Sequence, residues 1–322
     1  MKFFETNFEE YINSYNLYNL HPKLDATFIK FPNKLSELGN LIFYGPSGVG
    51  KYTQMLRSIQ KYSPTALKYE KKITVLNNKD NYFIKISDIH YEVNMSLLGC
   101  NSKTLWQDIY QQIVDIISSK TDKSGIIVCK NFHNIHSELL ENFYSYMQRN
   151  NLQLINIKYI LITEQVSFLN DNILNCCEII NIERPTKVAY SKCVPHMTTI
   201  NTNNISNIKT LKNGINELTF PHKLLCNKII NQMINVDELN FLHFRDTIYD
   251  IFIYHLDVTE CIWYILSSLI EQNQINNVDI SDILIKTYSF FRFYNNNYRP
   301  IYHLESFLFY LISTIHGYSN GI

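Results

Sequence analysis

The chain switches between two hydrophobic rhythms. Short, largely apolar runs occur at Leu41–Tyr44, Gly125–Cys129, Tyr159–Thr163 and Glu178–Ile182, the last interrupted by Asn181. Such runs predict strands buried on both faces. Between them lie stretches with apolar residues every three to four positions. One, about Lys103–Ser119, carries Leu105, Ile109, Ile113, Ile116 and Ile117, and another spans about Ser137–Arg149. Lys71–Val75 and Tyr82–Ile86 alternate instead, around Asn77–Asp80, which predicts a β-hairpin, and His90–Asn94 predicts a further short strand. Strands alternating with helices imply an α/β domain with a parallel sheet covered on both faces. Residues 1–39 read as short, mixed elements leading into the first strand. From Asp237 the pattern is helical throughout, with helices expected at Asp246–Leu256, Val258–Gln272, Asp279–Tyr294 and Tyr302–Ile315. Arg184-Pro185 punctuates the end of the α/β part. Thr198–Asn207 is a polar run expected to be a loop. The expected division is an α/β domain at 1–183, a small helical domain at 184–236 and an all-helical domain at 237–322.

The first strand runs into Gly45-Pro46-Ser47-Gly48-Val49-Gly50-Lys51-Tyr52-Thr53. Strand, glycine-rich turn and helix start in that order make a phosphate-binding P-loop. Glycines let backbone N–H groups curl toward a phosphate, and the helix adds its N-terminal donors. Lys51 would reach the outer phosphates. The pattern asks for Ser or Thr after the lysine, to place a hydroxyl on Mg2+. Here Tyr52 stands there and Thr53 comes one residue late. Nucleotide, ATP or ADP, is therefore expected, with Mg2+ left open.

Composition narrows the partners. The 322 residues carry 29 basic and 29 acidic side chains, so DNA contact would have to be local. At 46% hydrophobic and 14% aromatic the chain is globular. Its seven cysteines form no Cys-x2-Cys pair, and no signal peptide precedes them, which points to a reducing cytosolic or nuclear setting. The apolar runs Cys261–Ile270 and Phe307–Ile315 are too short to span a bilayer.

Several separated segments together resemble one family, the AAA+ clamp loaders, and within it the replication factor C small subunits. The P-loop resembles the variant loop of one such subunit, which also has threonine one place late. His90-Tyr91-Glu92-Val93-Asn94-Met95-Ser96, ending at Gly99, looks like the segment before that subunit's DNA-facing helix. Ile173-Leu174-Asn175-Cys176-Cys177 sits where the family has Ser-Arg-Cys. Ile301-Tyr302-His303-Leu304-Glu305-Ser306-Phe307 resembles the last helix of the collar domain. The resemblance spans about residues 25–315. It implies a helical lid, a helical collar for oligomerisation, and assembly with other clamp-loader subunits in a hetero-pentamer that places a sliding clamp on primer–template DNA. The setting it implies is a nuclear or cytoplasmic replication site, such as a viral factory.

The departures point away from catalysis. An active member has Asp-Glu after the second strand, whereas this chain has Lys130-Asn131-Phe132-His133. His133 stands two places too far along for the base and reads as a polar loop residue. The sensor position after the third strand holds Thr163 or Glu164, and a carboxylate there would face the γ-phosphate unfavourably. The arginine finger aligns with Cys176, and a basic pair on the preceding helix is replaced by Tyr144-Ser145. An arginine finger is worth about a thousandfold or more in rate. No catalytic residue is therefore expected. Lys209 is a candidate phosphate-sensing base in the lid, against an ordinary solvated lysine. Ser102, Lys103 and Thr104, opening the helix after the His90–Gly99 segment, are candidates for holding a DNA phosphate, against simple helix capping. Cys176-Cys177 lack the accompanying ligands of a metal site.

A guanylate-type nucleoside monophosphate kinase shares the Gly-Pro-Ser-Gly-Val-Gly-Lys wording. Tyr52 at the hydroxyl position and the long helical stretch from Thr186 onward do not suit it. A scaffold with a relic P-loop keeps the fold without the nucleotide.

Overall fold

The structure, a computed structural model, describes residues 7–76, 81–99, 101–148, 155–193, 221–236, 239–254, 256–294 and 299–318. The expected turn at 77–80, the polar run Thr198–Asn207 and Lys209 lie outside them. Contacts divide the chain into two compact units, Met1–Gly214 and Ile215–Ile322.

In the first unit, helices α1 (Phe8–Leu17) and α2 (Lys23–Ile29) precede strand β1 (Asn40–Tyr44), followed by α3 (Lys51–Ile59). The antiparallel pair β2 (Lys71–Leu76) and β3 (Asn81–Ile86) leads to β4 (His90–Asn94) and α4 (Ser102–Ser118). Then come β5 (Ser124–Lys130), α5 (Ser137–Gln148), β6 (Asn156–Thr163), α6 (Asp171–Asn175), β7 (Cys177–Asn181) and α7 (Lys187–Cys193). The strands form one sheet in the order β2-β3-β4-β5-β6-β1-β7. From β4 to β7 the pairings are parallel, and β2 and β3 extend the sheet antiparallel. The parallel expectation holds for the strands that carry the buried runs. The hairpin continues the sheet as an antiparallel edge because only four residues separate its strands, too few for a crossover helix.

Neighbouring strand residues enter opposite cores. Leu41, Phe43, Ile126, Val128, Ile160 and Ile162 pack with α1–α3, whereas Ile42, Ile127, Cys129 and Leu161 pack with Trp106 of α4 and Phe143 of α5. Both faces of β1, β5 and β6 are covered, so their sequences are continuously apolar rather than alternating, whereas β7, expected to be buried as well, is an edge strand that leaves Glu178, Ile179 and Asn181 exposed.

Residues 7–39 form longer helices than their polar composition suggests. In α1, Phe8, Ile12 and Tyr15 are buried at helical spacing, and the Glu10 carboxylate accepts from the Asn7 N–H at 3.4 Å.

The second unit holds α8 (Pro221–Ile234), α9 (Phe241–Ile253), α10 (Val258–Glu271), α11 (Ile280–Tyr294) and α12 (Pro300–His316). The predicted helices from Asp246 onward are all present, the first beginning earlier than expected. Asn240 accepts from the N–H groups of Leu242 and His243, which starts α9, and Asp257 does the same for α10. The unit's core runs through Phe244, Ile265, Leu304 and Leu308. Arg245 of α9 grips Glu305 of α12 through Nε at 2.5 Å and Nη2 at 2.9 Å. Among the described residues no helix is long and apolar enough to cross a membrane.

Candidate nucleotide site

The site forms where β1 ends, between β6 and β7. Crevices at the carboxyl ends of strands in such sheets are where ligands bind. Leu41, Ile42 and Phe43 are fully buried and fix the start of the loop. Gly45 has to be glycine, because a Cβ there would stand 2.3 Å from the Ile182 carbonyl oxygen. Gly48 (φ +68°) and Gly50 (φ +96°) take left-handed conformations that turn the chain into α3. Val49 is buried, and its carbonyl accepts from Nε2 of His21 at 2.7 Å. Burial lowers the His21 pKa, against the opposing effect of that hydrogen bond. The proton that the Val49 carbonyl requires thus sits on Nε2, so the segment between α1 and α2 braces the P-loop. Sequence reasoning passed over His21, since the partner is a backbone carbonyl 28 residues away.

Lys51 opens α3 with its side chain folded over the loop. Its Nζ donates to the carbonyls of Gly45 (2.7 Å) and Pro46 (2.6 Å) and lies 3.5 Å from Oε1 of Glu164. Burial lowers the Lys51 pKa, partly opposed by Glu164. Pro46 and Ser47 are half-buried at the loop's outer turn, and Thr53 is half-buried in the first turn of α3. The left-handed glycines, the helix N-terminus and the lysine occupy the places a phosphate cradle needs.

Beyond the cradle the chemistry changes. The Tyr52 hydroxyl donates to Oε1 of Glu92 at 2.5 Å, and Nζ of Lys130 lies 2.9 Å from Oε2. His90 Nε2 is 3.4 Å from Oε1, and its Nδ1 is 2.5 Å from the Ser87 hydroxyl. Glu92 is 2% exposed. Burial pushes its pKa up, but the His90 hydrogen bond and the Lys130 charge outweigh that and hold it at about 2. Burial, followed by the Glu92 charge, drives the Tyr52 pKa far up, so the phenol stays protonated. Parallel pairing of β4 with β5 sets Glu92 opposite Val128 and Asn94 opposite Lys130, which puts Glu92 and Lys130 on one face two positions apart.

Mg2+ beside a P-loop phosphate takes a hydroxyl after the lysine and a carboxylate at a strand end. Here the first is a phenol committed to Glu92, and the second is Lys130 followed by Asn131. Asn131 is left-handed (φ +51°) and donates to Asn94 Oδ1 at 3.0 Å. Glu92 has both oxygens engaged, and Glu164 faces Lys51. The donor set does not fit Mg2+. The sensor position divides in two: Thr163 is buried, donating to the Gln165 carbonyl at 2.6 Å, while Glu164 turns toward Lys51 and its N–H donates to His133 Nδ1 at 3.3 Å.

Of the candidate DNA-facing residues, Lys103 and Thr104 are exposed, whereas Ser102 is 1% exposed and turned into the domain. Cys176 and Cys177 place their sulfurs 3.9 Å apart. Among the described residues no group of three or more His, Cys, Asp or Glu side chains is arranged to hold a metal.

No protein-family model matches the chain, and no curated protein matches it. Among solved structures, the Thermotoga maritima RuvB Holliday junction branch migration motor matches at 12% identity over 77% of this chain and 72% of its own, with a TM-score of 0.34. A second RuvB structure from that organism is matched over 51% of its length, so the chain spans about half of it. C. elegans PCH-2 matches at 12% identity over 57% of this chain and 43% of its own, with a TM-score of 0.33. A chain of the E. coli MS115-1 HORMA:CdnC:Trip13 complex matches at 13% identity over 64% and 69%, with a TM-score of 0.34. Likeness of this degree says nothing about what the present chain binds or does.

Proposed function

We propose that this chain is a nucleotide-binding, non-catalytic subunit of an AAA+ clamp loader of the replication factor C type. The observation that supports the reading is a glycine-rich turn running from a buried strand into a helix N-terminus, beside positions that hold no acids. Gly48 and Gly50 are left-handed and Lys51 folds back over the loop, while the positions for the metal and water-activating acids are Lys130 and Asn131. Water activation and metal-assisted charge neutralisation both need groups the site lacks. Binding nucleotide without turning it over stabilises the folded form by mass action.

In this reading Gly45–Thr53 hold the phosphates of ATP or ADP, with Lys209 as the lid's contribution, and hydrolysis belongs to other subunits. The tripartite division at 1–183, 184–236 and 237–322 is part of the proposal. The C-terminal helices join other clamp-loader subunits in a hetero-pentamer, which acts with a sliding clamp on primer–template DNA. The Ile301–Phe307 resemblance supports that assignment, and Glu305 within it anchors α12 to α9. Lys103 and Thr104, both exposed, are the proposed DNA-backbone contacts; Ser102, expected to join them, is buried and drops out of the set. The site of action is a nuclear or cytoplasmic replication centre.

Two measurements test this. Native mass spectrometry of the chain isolated from its source is expected to show one copy with four other AAA+ subunits, and a lone monomer or homodimer would count against the assignment. The isolated chain is expected to bind nucleotide without turnover, and ATP hydrolysis abolished by Lys51→Ala would overturn the non-catalytic part.

A further inference from the structure

We propose that nucleotide is held at this P-loop free of divalent cation, with the Lys130 ammonium fixed in the metal's neighbourhood by Glu92. The inference rests on the nucleotide-binding reading above and specifies the form of ligand that site accepts.

The argument is one of position and charge. Lys130 ends β5, and its Nζ lies 2.9 Å from Oε2 of Glu92 and 5.4 Å from the centre of the Tyr52 ring. A cation therefore packs against the side chain that follows the P-loop lysine, the residue whose hydroxyl would otherwise reach a metal. Glu92 is buried and accepts from Tyr52 as well as pairing with Lys130, so neither of its oxygens is open. A divalent ion brought here would meet the Lys130 charge and find the nearby carboxylates already paired. Mg2+ is a hard ion that dehydrates reluctantly and is kept by carboxylate and phosphate oxygens. Lys51 and Lys130, each held by a carboxylate, stand at the loop in its stead. Such a site takes the di- or triphosphate after Mg2+ has been stripped from it, so added Mg2+ competes for the ligand rather than assisting it.

The test uses the full chain and a fluorescently labelled ATP, titrated in excess EDTA and in excess MgCl2, with labelled ADP alongside. Affinity is expected to be equal or higher in EDTA. Mn2+ added with unlabelled nucleotide is expected to give no protein-bound paramagnetic signal. Lys130→Met is expected to weaken binding in EDTA by about tenfold, equivalent to about 1.4 kcal/mol, and Lys130→Arg to retain it. Should Lys130→Met fail to fold, the wild-type comparison and the Mn2+ spectrum decide alone. Binding about tenfold tighter in MgCl2, or a bound Mn2+ signal, would overturn the inference and leave the nucleotide-binding reading standing. Absence of binding under both conditions would overturn both.

Discussion

Tyr52 and Glu92 are joined by a 2.5 Å hydrogen bond between the first turn of the P-loop helix and the middle of β4. The bond ties the residue after Lys51 to a buried carboxylate that also holds Lys130. It turns what would be a metal position into part of the protein's own framework.

That framework is sensitive to acid. The folded Glu92 pKa is about 2, below its ordinary value of 4.5. A carboxylate whose pKa is depressed on folding contributes stability above its unfolded pKa and loses it as pH falls through the folded one. Thermal melts of the wild type are expected to fall between about pH 5 and pH 2. Glu92→Gln is expected to be less stable at neutral pH but flatter across that window. Equal slopes for the two proteins would show that Glu92 does not carry the acid sensitivity. Removing one member of a buried pair costs about 3–5 kcal/mol, so the neutral-pH loss should be plain in urea unfolding.

In the proposed nucleotide site, Glu164 would compete with phosphate for Lys51. The carboxylate is 3.5 Å from Nζ, and a negative charge beside Lys51 would oppose a phosphate drawn to that lysine. Glu164→Gln is expected to raise ATP affinity by about tenfold and ADP affinity by less. Isothermal titration of both nucleotides measures the difference, and an equal gain for the two would refute the assigned place of Glu164.

The P-loop glycines differ in what they tolerate. Gly45→Ala drives a Cβ to 2.3 Å from the Ile182 carbonyl oxygen, a backbone atom that cannot step aside. The expected cost is about 1–3 kcal/mol, with nucleotide binding impaired. At Gly50 the nearest atom to an added Cβ is His21 Nε2 at 4.0 Å, so space is not limiting, but φ is +96°. Gly50→Ala is expected to cost about 1–2 kcal/mol through the backbone alone. Urea midpoints of the two variants check both values.

The second unit depends on its helix caps. Asn240 accepts from Leu242 N–H at 3.0 Å, and Asp257 from Thr259 N–H at 2.8 Å. Asn240→Ala and Asp257→Ala are each expected to cost about 1 kcal/mol, while Asp257→Asn keeps most of the cap. A cost near zero by chemical denaturation would mean that tertiary packing alone sets those helix starts.

Several features are legible in the sequence because they are local. The buried strands announce themselves as apolar runs, since a sheet covered on both faces needs no polar side. Gly45–Lys51 shows its loop because positive φ and close backbone approach demand glycine. Lys130 and Asn131 show the missing acids by identity. Helix α1 was also within reach: Asn7 with Glu10 three residues on, then Phe8, Ile12 and Tyr15, gives a start signal and a buried face, but abundant Asn and Tyr blurred it.

The meeting of Glu92 with Tyr52 and Lys130 was not legible. They lie 40 and 38 residues from it in the chain, and only the register of β4 on β5 and the placing of α3 bring them together. Nor could the sequence say that Glu164 turns toward Lys51, that His21 braces Val49, or that Ser102 faces inward. Sequence determines where the chain forms its glycine-rich turn, because backbone conformation and apolar periodicity act over a few residues. Tertiary structure decides which charges neutralise one another there, because electrostatic partners are selected by distance in space and by burial.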